Sequence, residues 1–327
     1  MAPPTPLLAL PGMASQLERV ETALRASVVT EDPYLTEIAS HLIRAGGKRL
    51  RPALAVASGA CGSPDLDVPD GVILGGVAVE LVQVGSLYHD DVMDEALTRR
   101  GVESVNARWG NLRAILAGDF LLAKASEIAA SLGTEVAGLL AATIGRLCEG
   151  QVAELQTTFS PDRTEEEYQR AIAGKTASLF AAACRIGAIV AELPRREIEA
   201  LTLFGSRYGM AFQVVDDVLD VVATDEQLGK PAGNDLAEGI YTLPVLRALR
   251  DPAVGAELRE LLGRPLDPPG VEQARSLVRT GTAVQESLAV AKEWCDEATV
   301  ALAVLDQGPA VDQLAATANG LLATVPT

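Results

Sequence analysis

An all-α fold is what this sequence predicts, and three observations carry that reading. The 327-residue chain is 48% hydrophobic but only 4% aromatic, so its core must come mainly from Ala, Leu and Val, which close-packed helices accommodate. Apolar stretches such as GVILGGVAVELVQVGSL (71–87) lack the two-residue alternation of a half-buried strand and are too long for one strand. Between turn-forming clusters the segments run to ~20 residues, against ~11–12 for an average globular helix.

The elements follow in order. MAPPTPLLALPG, with its early prolines and a Pro-Gly, suggests a disordered leader over residues 1–15. It lacks the charged n-region of a signal peptide, and its apolar run is too short to anchor in a membrane. Residues 16–327 then read as one large helical domain, since no linker divides them. The small residues within 71–87 fit a helix packed on all sides. Breaks are expected at CGSPDLDVPDG (61–71), SPDRTEEEY (160–168), ATDEQLGKPAGNDLAEG (223–239) and GRPLDPPG (263–270). In the second, Thr164 with Glu167 after it forms a capping box that starts a helix.

Composition also excludes some functions. With 27 basic and 44 acidic residues the net charge is −17. That argues against a general binder of nucleic acid or anionic membrane, both of which need basic surface, and no integral membrane segment is expected. A local metal or basic cluster can still attract anionic substrates. Cys61, Cys148, Cys184 and Cys295 show no CxxC spacing; they read as reduced, mostly buried thiols of a cytoplasmic protein.

The chemistry concentrates in two places. SLYHDDVMDEALTRR (86–100) sets Asp90, Asp91 and Asp94 inside an apolar stretch, and DDVLD (216–220) repeats the pattern with Asp216, Asp217 and Asp220. On a helix, residues i and i+4 share a face and i+1 lies on its flank, so each motif aims two carboxylates one way with a third beside them. A solvated acidic face is the plain alternative, but both copies follow core-like sequence. Buried carboxylates need cationic partners, and hard oxygen ligands select Mg²⁺ or Mn²⁺ over zinc. Magnesium takes one or two carboxylates plus waters and substrate phosphates, so facing clusters point to several ions gripping a diphosphate.

A basic half complements them. AGGKRLRP (45–52) places Lys48, Arg49 and Arg51 behind a Gly-Gly pair, and Arg99 and Arg100 follow the first motif. These could simply balance an acidic surface, yet Arg forks and Lys charges are what phosphates need where no metal holds them. A metal half and a basic half imply two anionic substrates bound differently.

Six blocks in order, GGKRLRP, DDVMDEALTRRG, GDFLLAKA, GKTASLF, GMAFQVVDDVLD and GKPAGNDLAEGIYTLPV, resemble the trans-isoprenyl diphosphate synthases, or polyprenyl synthetases, of the medium- to long-chain bacterial type. The resemblance covers roughly residues 40–250. It implies a single helical bundle of the isoprenoid synthase type with a central cavity, and a homodimer. It also implies a head-to-tail condensation in which an allylic diphosphate ionises and isopentenyl diphosphate attacks the allylic cation. Magnesium would be the cofactor, about three ions, with manganese able to substitute. By this resemblance Asp90, Asp94 and Asp216 lead the metal ligands, with Asp91, Asp217 and Asp220 secondary. Lys48, Arg51, Gln83 and Arg100 would hold isopentenyl diphosphate, and Arg99, Lys175 and Lys230 the allylic diphosphate. Thr176 and Gln213 would stabilise the cation, completing with Lys175 the catalytic set. His89 is read as a hydrogen-bonding residue rather than a ligand.

One departure stands out. Where many members carry a lysine, this chain reads Glu238-Gly239-Ile240-Tyr241-Thr242-Leu243-Pro244, which removes a cation near the diphosphate end of the site. For product length, the positions where short-chain relatives place aromatics before the first aspartate hold Gly85 and Ser86. No insertion interrupts the motif, Ala78, Val79, Leu81 and Val82 offer no aromatic floor, and Tyr88 should point away from Asp90. The expected product exceeds C20, roughly C30–C50, unless Leu116 or Phe120 of a neighbouring helix closes the tunnel and gives C20. A terpene cyclase or squalene-type synthase, or a silent partner subunit, would not be expected to keep both the second DDVLD and GGKRLRP.

Overall fold

The computed structural model describes residues 6–63, 67–228 and 231–326. Ten longer helices build it: α1 (Met13–Ser27), α2 (Leu50–Gly59), α3 (Asp70–Met93), α4 (Asn111–Ser131), α5 (Thr134–Leu155), α6 (Glu165–Val190), α7 (Arg195–Val222), α8 (Pro268–Thr280), α9 (Ala283–Ala301) and α10 (Pro309–Asn319). The strongly apolar α3 packs against α1, α2, α4 and α6, while α7 packs against α6 and α9. Both α3 and α6 are long and apolar enough to cross a membrane, but 72% and 67% of their most apolar windows are buried inside the protein. Their hydrophobicity serves the core, which is why the 71–87 run shows no polar stripe.

Local signals work as the sequence suggests at several places. Thr164 accepts from Glu167 N while the Glu167 carboxylate accepts from Thr164 N, so the capping box starts α6. Asp32 and Asp267 cap their helices by accepting from backbone N–H groups of the first turn. Tyr88 turns from the aspartates and donates its hydroxyl to Ile38 O at 2.8 Å.

Two expectations are corrected. The leader is ordered from Pro6 onward: Pro6–Ala9 form a 3₁₀ turn, and Leu7, Leu10 and Met13 are buried. Burying such a side chain contributes ~1.5–3 kcal/mol, which offsets the entropy of ordering the segment. The 223–239 stretch is not purely loop, since Asp225–Leu228 and Asn234–Glu238 are short helices. A small antiparallel hairpin, Thr98–Arg99 with Val102–Glu103, also follows the first aspartate motif.

Candidate active site

Both aspartate motifs occupy C-terminal helix ends. Asp90 and Asp91 lie in the last turn of α3 and Asp94 caps it, while Asp216–Asp220 lie just before α7 ends at Val222. A helix C-terminus carries partial negative charge, so carboxylates there are doubly disfavoured without cations. Asp90, Asp94, Asp216 and Asp217 nevertheless line one cavity of about 480 Å³. Burial pushes Asp90 up to about 6 and Asp217 to about 7, and raises Asp94 as well.

Asp91 and Asp220 are placed differently. Asp91 is fully buried and accepts from Arg99 Nε at 2.6 Å, so it anchors the hairpin that carries Arg99. Asp220 accepts from Asp235 N at 3.2 Å and ties α7 to the short helix beside it. Neither lines the cavity; both stand behind its wall, supporting it and not facing it, because i+1 and i+4 geometry shares a helix face without ensuring a shared cavity.

The α6 helix carries Lys175 and Thr176 on a π turn, Ala173–Ala177. The inserted residue re-aims the turn toward the cavity. It sits against α5 at a glycine crossing, where a Cβ on Gly150 would come within 2.4 Å of Lys175 N. Lys175 Nζ donates to Glu154 Oε1 at 2.5 Å. Burial alone would lower its pKa, but Glu154 and Asp90 outweigh that and hold the ammonium above its usual value. Thr176 donates to Gln213 Oε1 at 2.7 Å, and Gln213 Nε2 donates to Asp217 Oδ1 at 2.8 Å.

A second cavity, of about 510 Å³, shares Asp90, Lys175, Thr176, Gln213 and Asp216 with the first. Away from that junction its wall is apolar, formed by Val82, Leu122, Ile144, Leu147, Val152 and Leu155 among others. Ser86 lines it, whereas Gly85 faces α4, with Gly118 O 3.1 Å and Leu122 Cδ2 3.3 Å from where its Cβ would stand. Gly85 is thus a packing glycine, since the five-residue spacing turns it off the cavity face. Leu116 is 57% exposed and, like Phe120, does not line the cavity; from the same helix Leu122 does. Cys148 is the exposed one of four free thiols and lines this wall. His89 also lines it, its ring packed on Gly118 and its Nε2 3.2 Å from Ile115 O and 3.3 Å from Asp119 Oδ1.

The basic residues divide. Arg51 and Gln83 line the apolar cavity. The Arg51 guanidinium stacks 4.4 Å from the Phe180 ring centroid, and its buried Nε has no hydrogen-bond partner. Burial lowers its pKa to about 10, still fully charged near neutrality. Lys48 lines a third cavity of about 460 Å³, which also reaches Asp216. Arg100 lines none of these; its Nη1 donates to Leu42 O at 3.1 Å and Gly46 O at 2.5 Å, and its Nη2 lies 3.6 Å from Glu80 Oε1. Arg49 is likewise buried, bound to Glu21, Glu80 and Ile43 O. These two arginines brace the Gly46–Gly47 turn that precedes Lys48. Lys230 lies outside the described residues.

Sequence reasoning missed Glu80, Glu154, Arg163, Tyr168, Asn234, Asp235 and Glu238. All but Glu80 line the first cavity. Asn234, Asp235 and Glu238 stand in a segment already marked by resemblance, whereas no local pattern flags Glu154 or Arg163. Among the described residues no preformed group of His, Cys, Asp or Glu side chains encloses a metal ion. The carboxylates that line the cavity, Asp90, Asp94 and Asp216 among them, are hard oxygen donors of the kind that suits a divalent cation sharing its coordination with waters and phosphate.

A polyprenyl synthetase family model matches residues 32–278. A nonaprenyl diphosphate synthase of Mycobacterium tuberculosis is 38% identical over 91% of this chain and 89% of its own. A heptaprenyl diphosphate synthase component 2 of Geobacillus stearothermophilus is 39% identical over 88% of each. The crystal structure of a Corynebacterium glutamicum geranylgeranyl pyrophosphate synthase, complexed with calcium and isoprenyl diphosphate, superposes with a TM-score of 0.82 at 38% identity, covering 95% of both chains. The paired aspartate helices, the joined polar and apolar cavities and these likenesses agree: this chain belongs to the polyprenyl synthetase family.

Proposed function

We propose that this chain is a magnesium-dependent trans-prenyltransferase that condenses isopentenyl diphosphate with an allylic diphosphate to give a polyprenyl diphosphate longer than C20. The observation that carries this reading is the junction: Asp90, Lys175, Thr176, Gln213 and Asp216 line both the acidic cavity and the apolar one. An allylic diphosphate laid across it has its head among carboxylates and its tail among aliphatic side chains. Asp90, Asp94 and Asp216 would hold the metal; when bound, magnesium neutralises the diphosphate and assists its departure. Lys175 and Arg99 flank the same anion. Lys48 and Arg51 receive isopentenyl diphosphate, each lining a cavity that reaches Asp216. Thr176 and Gln213 set oxygen dipoles at the junction, where positive charge develops on the allylic carbon. Their preorganisation, through Asp217, spares reorganisation during ionisation. Loss of a proton from the new adduct restores an allylic diphosphate one C5 unit longer.

Length beyond C20 is favoured because no Phe, Tyr or Trp of α3, α4 or α5 lines the apolar cavity, whose wall carries the ring of Phe212 from α7, and because nonaprenyl and heptaprenyl enzymes are among the relatives. The chain is proposed to act in the cytoplasm as a homodimer. Leu112 and Leu116 on α4 are 70% and 57% exposed, an apolar surface that a second copy would cover.

The test is incubation of the purified chain alone with labelled isopentenyl diphosphate and farnesyl diphosphate, with Mg²⁺ or with excess chelator. Elongated diphosphates should form only with the metal, and circular dichroism should be unchanged by chelation. Cyclised hydrocarbon without elongation would overturn the reading, as would activity that appears only when a different protein is added.

A further inference from the structure

Seven carboxylates line the acidic cavity, Asp90, Asp94, Glu154, Asp216, Asp217, Asp235 and Glu238, against three cations among the described residues, Arg99, Arg163 and Lys175. Two of the cations are committed to carboxylates, Arg99 to Asp91 and Lys175 to Glu154. Arg163 is not. It is only 5% exposed, and its one side-chain hydrogen bond runs from Nη1 to Tyr241 O at 3.1 Å. Its Nε and Nη2 are buried with no partner. Leaving two donors of a buried cation unmet is costly, so the position calls for an account.

The surroundings supply one. The loop bearing Arg163 is stitched to the segment bearing Ile240. Phe159 N donates to Gly239 O at 2.8 Å, and Gly239 packs so tightly on the Phe159 ring that a Cβ would come within 2.4 Å of it. With the Arg163–Tyr241 bond, these contacts bracket Ile240 on both sides. Arg163 and Ile240 therefore line one corner of the same cavity. The guanidinium also lies 5.5 Å from the Tyr168 ring centroid, and the Tyr168 hydroxyl donates to Asp217 Oδ2. Burial lowers the Arg163 pKa while Glu154 and Asp217 oppose that, so it remains a cation facing a carboxylate-rich wall.

We propose that Arg163 supplies the positive charge at the Ile240 corner of the acidic cavity, acting on the bound allylic diphosphate as a fixed buried charge. A side chain from a different loop thereby does what a cation at position 240 would do. Inside a partly desolvated wall such a charge is felt strongly by a dianionic or trianionic ligand. The inference rests on the reading of this cavity as the diphosphate site.

The test measures binding as well as turnover. Calorimetry with inorganic pyrophosphate and Mg²⁺ is run on the parent, Arg163→Gln, Ile240→Lys, and Arg163→Gln combined with Ile240→Lys. Glutamine can keep the bond to Tyr241 O without the charge. Arg163→Gln should weaken pyrophosphate ~10-fold or more, and raise KM for the allylic diphosphate by a similar factor while KM for isopentenyl diphosphate stays within ~2-fold. The double variant should recover to within ~3-fold of the parent, and Ile240→Lys alone should change little. Unchanged binding in Arg163→Gln overturns the inference, as does failure of the lysine to rescue. If Arg163→Gln does not fold, Ile240→Lys decides, since a gain of ~10-fold or more would mean the corner lacked a cation. Asp90→Asn runs alongside: if it leaves pyrophosphate binding intact, the cavity reading itself fails. If Asp90→Asn weakens binding and Arg163→Gln does not, only the role of Arg163 falls.

Discussion

Thr176 Oγ1 stands 2.7 Å from Gln213 Oε1 and donates to it, while Gln213 Nε2 donates to Asp217 Oδ1 one turn further along α7 at 2.8 Å. The π turn of α6 is thereby joined to the second aspartate motif through a single amide. The two bonds orient that amide, because its oxygen can only accept and its nitrogen only donate. Thr176→Val keeps the shape and removes the donor. Steady-state kinetics should show kcat for elongation falling ~10–100-fold with smaller changes in either KM. A loss confined to KM would mean that Thr176 only contacts substrate.

The π turn depends on close backbone approach. Beside the 2.4 Å contact with Lys175 N, a Cβ on Gly150 would lie 2.8 Å from Ala171 O. Both neighbours are backbone, so the helices must separate. Gly150→Ala should destabilise the fold by ~1–3 kcal/mol in denaturant unfolding, and lower activity further by shifting Lys175. Full stability with full activity would show that this crossing has slack.

Ser86 and Gly85 should behave oppositely. Ser86→Phe puts a ring into the apolar cavity and should shorten the products, seen by chromatography, with little change in thermal midpoint. Gly85→Phe drives the same ring into Gly118 and Leu122 and should cost ~1–3 kcal/mol or more of stability. Shortened products from a stable Gly85→Phe enzyme would mean that α4 yields at this contact.

Glu80 is 3% exposed and lies between Arg49, at 2.9 Å, and Arg100, at 3.6 Å. Removing one partner of a buried ion pair leaves uncompensated charge and typically costs ~3–5 kcal/mol. Glu80→Gln leaves Arg49 with Glu21 as its carboxylate and takes from Arg100 the carboxylate it faces, under the Gly46–Gly47 turn. Chemical denaturation should show a loss of that order, and KM for isopentenyl diphosphate should rise because the turn carries Lys48. A stability loss without the KM change would limit Glu80 to folding.

How much of this was legible in the sequence depends on how local each signal was. The long apolar runs and the Thr164–Glu167 box are contiguous patterns, and they appear where expected. Asp90, Asp94 and Asp216 reach the cavity because helical spacing aims them together. Asp91 and Asp220 do not, because a helix face is broader than the cavity it borders. Gly85 stands off the cavity wall for a similar reason: one residue, ~100° on a helix, separates the cavity face from the α4 contact. Glu80, Glu154 and Arg163 could not be found at all, since their partners lie far off in sequence. Leu7, Leu10 and Met13 were hidden by the prolines around them, which suggest disorder even where apolar side chains are buried.

Product length tests the central claim most directly. The purified chain, with Mg²⁺ and labelled isopentenyl diphosphate, is offered C10, C15 and C20 allylic primers, and the products are resolved by chromatography. The joined acidic and apolar cavities predict polyprenyl diphosphates longer than C20, including from the C20 primer itself. Products that stop at C20 from the shorter primers, with the C20 primer left unextended, would contradict the account.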